Sequence, residues 1–295
     1  MQIFISTLAI LLCHSITGTA SVLMRYFVGI LDPIELAFLR YLLGGFFILP
    51  LFFIFRSSNL TKSLLFKSIA LGILFFGIFP FLFAQAFVYT SAARGALVLA
   101  TMPIWTMLIG KAIGHEKVNL LSLVAVLLVL FGLFVSLSDK LFLTTHEEVS
   151  FKGELIMLLA AICGAVYATF SKPVLKKIPA TTMSPIAMLA GCFFLMPFAV
   201  SNNVNEHVIA LTGMQLWLLV YIGIVTGGIA FFLFNWVLTK TTATFNTMFV
   251  TLNPIVAIFL GYLFLGEAIQ INFIIGVLIV FSGLGFAVYS QRKDH

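Results

Sequence analysis

The sequence predicts an all-α membrane protein with ten transmembrane helices, arranged as two inverted repeats of five helices each. Two observations predict this fold class. Of the 295 residues, 62% are hydrophobic and only 9% are charged. In addition, the pattern of residues 90–132 recurs at 241–283, with a constant offset of 151 positions.

The composition excludes a soluble domain, in which about a quarter of the residues are charged. Charged residues are missing from runs such as 68–93, 118–138 and 268–291. Each run is long enough for a membrane helix, which needs roughly 20 apolar residues to cross about 30 Å of hydrocarbon. Within lipid, backbone polar groups are satisfied only in helices or closed barrels. The run LVAVLLVLFGLFVSL lacks the alternation of barrel strands, so we expect helices.

Charges, prolines and polar clusters separate ten predicted spans. They cover approximately 3–24, 33–55, 67–89, 95–113, 118–138, 153–171, 182–200, 215–238, 242–264 and 269–290. The first span lacks the basic start and the short apolar stretch of a signal peptide, so we expect it to be retained. The three cysteines, Cys13, Cys163 and Cys192, lie in apolar segments without metal-ligand spacing and are expected to be small buried side chains.

The distribution of lysine and arginine predicts that both termini face the cytoplasm. With that orientation the inner loops and tail hold eleven basic residues: Arg56, Lys62, Lys67, Lys111, Lys117, Lys172, Lys176, Lys177, Lys240, Arg292 and Lys293. The outer loops hold four: Arg25, Arg94, Lys140 and Lys152. This asymmetry accounts for the net charge of +6, which is therefore no indication of nucleic-acid binding. We expect a multi-pass protein of the bacterial inner membrane, the cell membrane.

The repeat divides the chain into residues 1–138 (helices 1–5), a connecting loop at 139–152, and residues 153–291 (helices 6–10). Matching residues include Thr90 and Thr241, Ala92 and Ala243, Pro103 and Pro254, Gly110 and Gly261, Glu116 and Glu267, Gly132 and Gly283, Gly72 and Gly223, and Gly77 and Gly228. Because five helices per copy is an odd number, the second copy enters the membrane inverted, and Glu116 and Glu267 face opposite sides. Inverted repeats are a recurring plan of secondary transporters, with the binding site near the midplane between them.

With the repeats aligned, the chain resembles the drug/metabolite transporter superfamily, specifically its ten-helix EamA branch. The first half carries DPIELAFLRYLLGG and TSAARGALVLATMPIWTMLIGKAIGHEKV. The second half carries GELIMLLAAICGAVYATF and TKTTATFNTMFVTLNPIVAIFLGYLFLGEAI. The resemblance implies a transporter of small organic solutes such as amino acids. Four-helix relatives use a glutamate in their first helix for proton coupling, and no carboxylate lies deep in any span here.

Polar residues inside the hydrocarbon are costly, so each is a candidate for a functional role. His14 lies near the middle of the first span, and Thr7, Thr17, Ser21 and Arg25 share its helical face. We predict that His14 and Thr17 bind substrate, and that His14 alone is suited to carry a proton because imidazole titrates near neutrality. A histidine that only bonds a neighbouring carbonyl is the structural alternative.

Arg40, in the second span, has two interpretations. Its planar guanidinium is suited to bind a substrate carboxylate. Alternatively, it is a structural partner of Glu35 or of loop carbonyls, with its side chain extended toward the interface.

The other predicted substrate-binding residues are polar or aromatic side chains in later spans. They are Gln85, Thr101, Tyr167, Asn235, Trp236, Asn246 and Asn253. Asn253 precedes Pro254, which frees backbone carbonyls near the bilayer centre, an irregularity typical of cavity linings. For each of these residues, bonding between helices is the structural alternative. Close packing is predicted at Gly110-x-x-x-Gly114 and Gly223-x-x-x-Gly227.

Transport of a small polar metabolite by alternating access is therefore the predicted function. A membrane-embedded enzyme or a non-transporting membrane protein is the alternative, although no His-Glu-x-x-His motif is present. Within transport, a facilitator or exchanger competes with a proton-coupled antiporter. The expected partners are a small-molecule substrate and the lipid bilayer. Neither a cofactor nor a metal is expected, and a monomer suffices because one chain carries both repeats.

Overall fold

The structure is a computed structural model. It describes residues 2–27, 30–55, 57, 59–90, 92–116, 119–142, 151–265 and 270–293. Four features of the sequence predictions lie outside the described residues: Glu267, Arg56, Lys117 and most of the connecting loop, 143–150.

The predicted fold class is confirmed: within the described ranges the chain is helical without strands, and ten helices are long and apolar enough to cross a membrane. The uninterrupted helices are α1 (Gln2–Phe27), α2 (Pro33–Ile54), α5 (Leu120–Phe142), α6 (Lys152–Leu175), α7 (Ala180–Ser201) and α10 (Ile271–Lys293). The interrupted helices are α3 (Lys62–Gly72 and Phe79–Tyr89), α4 (Ala92–Leu99 and Met102–Ala112), α8 (Gly213–Tyr221 and Ala230–Leu238) and α9 (Ala243–Met248 and Leu252–Leu265). A short helix, Val204–Ile209, connects α7 to α8.

Local sequence signals explain where several helices begin. Asp32 caps α2 by accepting from the backbone N–H of Ile34, Glu35 closes the capping box, and Pro33 occupies the first turn. Thr212 and Gln215 form a second capping box at the start of α8. These caps satisfy backbone donors that would otherwise be orphaned at a helix start.

The interruptions, which sequence periodicity did not predict, recur in both repeats. A π-helical segment lies within α3 at Ile73–Ile78 and within α8 at Ile222–Ile229. Residues 73–78 shifted by 151 positions become 224–229, inside the second segment. Likewise α4 is broken at residues 100–101, and α9 passes through a 3₁₀ turn at Phe249–Thr251. Because π-bulges and short 3₁₀ stretches often mark hinges and functional sites, the paired positions are candidate hinges of the two repeats.

The helices pack mainly across the boundary between the repeats. Helix α5 packs on α10, and α2 packs on α7; α1 contacts α8 and α9, while α6 contacts their counterparts α3 and α4. Glycines permit the close approach: a Cβ on Gly276 of α10 would lie 2.3 Å from the backbone nitrogen of Ser136 in α5. These pairings are consistent with two repeats related by a pseudo-two-fold axis, and the inversion itself stays a prediction.

Polar contacts between loops and helix ends join residues that the topology prediction places on the same side. On the predicted outer side they pair Glu35 with His207 and Thr90 with Glu154; on the predicted inner side they pair Ser57 with Thr182 and Ser122 with Ser290. The alternation of the spans is therefore consistent with the contacts.

Candidate functional site

The predicted residues His14, Thr17 and Asn253 meet in a polar centre between α1 and α9. The Nδ1 atom of His14 lies 3.2 Å from the Asn253 Oδ1 atom, and the Thr17 hydroxyl donates to the same Oδ1 at 2.9 Å. The two helices approach closely here because α1 carries Gly18, where a Cβ would lie 2.6 Å from the Cβ of Val256. His14 and Asn253 are near the middle of their spans.

His14 has one ring nitrogen without a partner. Its side chain is only 4% exposed, and Nε2 makes no hydrogen bond. With the amide oxygen of Asn253 facing Nδ1, the Nδ1–H tautomer donates to Asn253 and leaves Nε2 as an unpaired acceptor; this assignment follows from the hydrogen-bond network. A buried acceptor of this kind is able to receive a hydrogen bond or a proton from a solute.

An aromatic cluster, which we define as Phe75, Phe76, Tyr167, Phe231 and Phe234, adjoins this polar centre. Phe75 and Tyr167 stack with ring centroids 4.3 Å apart and an interplanar angle of 10°. Phe234 and His14 are nearly perpendicular, with ring centroids 6.2 Å apart. The cluster therefore connects α1 to α3, α6 and α8.

Two more predicted residues lie at the edge of the cluster and bond to each other. The Tyr167 hydroxyl donates to the Asn235 Oδ1 atom at 3.0 Å, and Asn235 Nδ2 donates to the Ser184 hydroxyl at 3.0 Å. All three side chains are buried, and the chain of bonds joins α6, α8 and α7 directly. Sequence reasoning missed Ser184; its position in an otherwise apolar span was the only available signal.

Asn246 also contacts the cluster, through the backbone. Its Nδ2 atom donates to the Phe234 carbonyl at 2.9 Å, whereas its buried Oδ1 has no partner. The seven-residue spacing from Asn246 to Asn253 includes the 3₁₀ turn, so the two side chains do not form one regular helical face.

Three predicted residues show no polar contact with the centre. Thr101 donates to the Val98 carbonyl and accepts from the Trp105 indole, so its bonds stay within α4. Gln85 and Trp236 are half-buried, and in the described part of the chain their side chains make no hydrogen bond.

The structure does not give Arg40 the partners, Glu35 or loop carbonyls, that the structural interpretation expected. Arg40 is 8% exposed and does not pair with Glu35; its Nη2 atom donates to the Thr226 carbonyl, 2.9 Å away in the π-helical segment of α8. The guanidinium lies 5.6 Å from the Tyr41 ring centroid and 5.5 Å from that of Phe231, at the margin of the aromatic cluster. Glu35 instead caps its own helix and contacts His207 at 3.0 Å.

Glu116 holds the beginning of α9, whereas the sequence identified it only as the repeat counterpart of Glu267. Its carboxylate accepts from the backbone N–H groups of Ala243 and Thr244 and from the Thr244 hydroxyl. Lys172, at the end of α6, lies 3.9 Å from the carboxylate. The chain reaches this position because Gly114 follows the end of α4 in a left-handed conformation (φ +70°). The spacing had predicted that Gly114 packs against another helix; in the structure it forms a turn instead.

The cysteines form no site. Cys13 and Cys192 are buried as expected, whereas Cys163 in α6 is only half-buried. Among the described residues no group of three histidine, cysteine, aspartate or glutamate side chains is placed to hold a metal ion.

Comparisons with known proteins agree with this architecture. The family model described as the EamA-like transporter family matches residues 4–138 and again residues 151–289. An uncharacterized transporter of Bacillus subtilis, YoaV, is 27% identical over 94% of this chain and 95% of its own length. A probable amino-acid metabolite efflux pump of Salmonella typhimurium is 22% identical over 89% of this chain and 87% of its own. A crystal structure shares the fold, with a TM-score of 0.79, 18% identity and coverage of 98% of both chains.

Proposed function

The chain belongs to the EamA-like transporter family, and on that premise we propose that it is a secondary transporter of a small polar organic solute, an amino acid or a similar metabolite. It is a multi-pass membrane protein, and the names of its relatives indicate transport and not catalysis. The amino-acid class is supported by one relative, named as a probable amino-acid metabolite efflux pump.

One observation carries the proposal: the polar centre of His14, Thr17 and Asn253 lies midway along α1 and α9, one helix from each repeat. Hydrogen-bonding groups at this depth are costly in a membrane and mark substrate or ion pathways. The unpaired Nε2 of His14 supplies a further acceptor for a solute.

Burial of His14 supports alternating access. His14 is 4% exposed and the adjoining Tyr167 is fully buried, whereas Thr17 and Asn253 are half-buried, so a solute reaches His14 and Tyr167 only when helices part. Polar contacts at both ends of the bundle, Glu116 on α9 and Glu35 with His207, are suited to open in turn. The paired interruptions in α3, α4, α8 and α9 provide places where these helices bend.

We place the protein in the bacterial cell membrane with both termini in the cytoplasm, on the excess of lysine and arginine in the inner loops. Coupling to protons would use His14, since Glu35, Glu116 and Glu154 lie at helix ends and are engaged there in ion pairs. A facilitator or exchanger would use the same centre without protonation.

Solute flux into proteoliposomes tests the proposal. We expect the wild-type protein to move at least one member of an amino-acid panel, and His14→Ala and Asn253→Ala to lower that flux at least about tenfold, because each removes hydrogen-bonding groups of the polar centre. His115→Ala and Asn202→Ala, at exposed positions, are the matched controls. Melting in detergent verifies folding of every variant.

The outcome separates the alternatives. No flux of any solute would favour a membrane-embedded enzyme or a non-transporting protein. Wild-type flux from folded His14→Ala would remove His14 from the mechanism. Flux that ignores an imposed pH gradient would favour a facilitator or exchanger over a proton-coupled antiporter.

A further inference from the structure

Arg40 is a buried cation without a carboxylate partner in the described part of the chain. Its side chain is 8% exposed, one N–H of Nη2 donates to the Thr226 carbonyl, and the Nε–H group makes no hydrogen bond. Three buried or partly buried glutamates form ion pairs with residues other than Arg40: Glu35, Glu116 and Glu154. A buried ion is strongly unfavourable unless a counter-charge and further hydrogen bonds compensate for its lost hydration.

The neighbours of Arg40 compensate for this charge only in part. The rings of Tyr41 and Phe231 lie 5.6 and 5.5 Å from the guanidinium carbon, within the range of cation–π attraction. One neutral carbonyl completes its contacts. A guanidinium is a planar donor fork that matches a carboxylate, so the free Nε–H is a donor for which these neighbours offer no acceptor.

The second repeat shows that the fold does not require an arginine at this position. Gly191 of α7 packs on Gly72 and Phe76 of α3 as Gly44 of α2 packs on Gly223 and Gly228 of α8. Arg40, four residues before Gly44, therefore corresponds to Ala187, which also packs directly against α3: a Cβ on Gly72 would lie 2.2 Å from the Ala187 carbonyl oxygen. The same helix pairing, α7 on the π segment of α3, is thus built without a charge, which favours a functional role for Arg40 over a structural one.

The surroundings also indicate the rest of the ligand. Tyr41 and Phe231 each contact Phe76, with ring centroids 5.1 Å apart, so the guanidinium adjoins the aromatic cluster. An ammonium group finds no free carboxylate there. Glu35 accepts from the Asp32 N–H and from His207.

We propose that Arg40 binds the carboxylate of the transported solute, and that the substrate class is organic carboxylates with an apolar or aromatic body. This inference rests on the proposed function, because it names the substrate class of that site. The carboxylate supplies the counter-charge of Arg40, and the body packs on the aromatic cluster. An amino group is tolerated and is not required, and amines without a carboxylate are excluded.

A matched series of solutes separates the two charges. Phenylalanine, 3-phenylpropionate and 2-phenylethylamine share one aromatic body and differ in their charged groups, and leucine, 4-methylpentanoate and 3-methylbutylamine likewise share one aliphatic body. We expect both carboxylates of each series to raise the melting temperature of the purified protein and to compete for flux at least about tenfold more strongly than the amine, since the charge-assisted bond is missing in the amine.

Arg40→Gln is expected to abolish this preference, whereas Lys177→Gln, which removes an exposed positive charge, preserves it. Arg40→Lys keeps the charge without the fork and is expected to weaken carboxylate binding by several-fold; it decides the question if Arg40→Gln fails to fold. Equal competition by amine and carboxylate, a preference that survives Arg40→Gln, or a preference that is undiminished in Arg40→Lys would overturn the inference while transport stands. Carboxylate binding that depends on Arg40, without any flux, would instead keep the site and reject transport.

Discussion

The contact of Glu116 with the beginning of α9 makes a sharp prediction for Glu116→Gln. The carboxylate is 4% exposed and accepts from two backbone N–H groups, those of Ala243 and Thr244, and from the Thr244 hydroxyl at 2.6 Å. Glutamine has the same shape but replaces one oxygen with a donor. Whichever way the amide is turned, its NH₂ group faces another donor, and the attraction to Lys172 disappears.

The magnitude follows from the bonds that are lost. A hydrogen bond to a charged group contributes about 1.5–3 kcal/mol. A negative charge at a helix N-terminus contributes about 0.3–1 kcal/mol, and more when it is buried. Since part of the bonding survives in glutamine, we expect Glu116→Gln to lower the free energy of unfolding by about 2–3 kcal/mol, which corresponds to roughly 3–5 °C in melting temperature.

Thermal unfolding of purified protein in detergent measures the effect. Glu206→Gln is the control, because Glu206 is exposed in the short helix between α7 and α8, and we expect it to change stability by less than about 0.5 kcal/mol. Lys172→Met should destabilise less than Glu116→Gln, and the double variant should be less unstable than additivity predicts. An unchanged melting temperature of Glu116→Gln would refute the role of the carboxylate in holding α9.

Two further predictions concern the packing of α5 on α10 and the buried hydrogen bond between Tyr167 and Asn235. Gly276→Val places a side chain where even a Cβ would lie 2.3 Å from the Ser136 backbone nitrogen; it should separate α5 from α10 and sharply reduce the yield of folded protein, whereas Gly285→Val, with nothing within 4 Å of its Cβ, should not. Equal yields would contradict the close approach. Tyr167→Phe should lower stability by about 1–3 kcal/mol in the same melting assay, because the buried Asn235 Oδ1 loses the hydrogen bond that the Tyr167 hydroxyl donates to it. A wild-type midpoint would show that this oxygen finds another partner.

Much of the fold was predictable from the sequence because lipid imposes simple rules. Ten apolar spans follow from the missing charges, and each predicted span overlaps a helix of the structure. The interruptions were less accessible. Apart from Thr226 the π segments are apolar like the surrounding helices, so hydropathy gives no signal, although glycines at 72 and 77 and at 223 and 228 flank or lie within them in both repeats. The breaks in α4 and α9 do have a signal, because each lies just before a proline, Pro103 or Pro254.

For the candidate site, the residue types were predictable but their partners were not. His14 and Asn253 were separate candidates because each is polar at the bilayer centre, and they contact each other in the structure. Arg40 had Glu35 as an expected partner, five positions away in the same helix. The structure pairs it with a carbonyl of α8, which no pattern within α2 indicates.

The sequence by itself determined that this chain crosses the membrane ten times and consists of two related halves, because charge, hydropathy and a 151-residue offset are properties of the chain read in one dimension. Only the tertiary structure decided which polar groups satisfy one another. His14 and Asn253 are 239 positions apart, and their contact depends on how closely α1 and α9 pack at Gly18. The unmatched charge of Arg40 likewise emerges only from packing, because an ion counts as unpaired only once all its neighbours are in place.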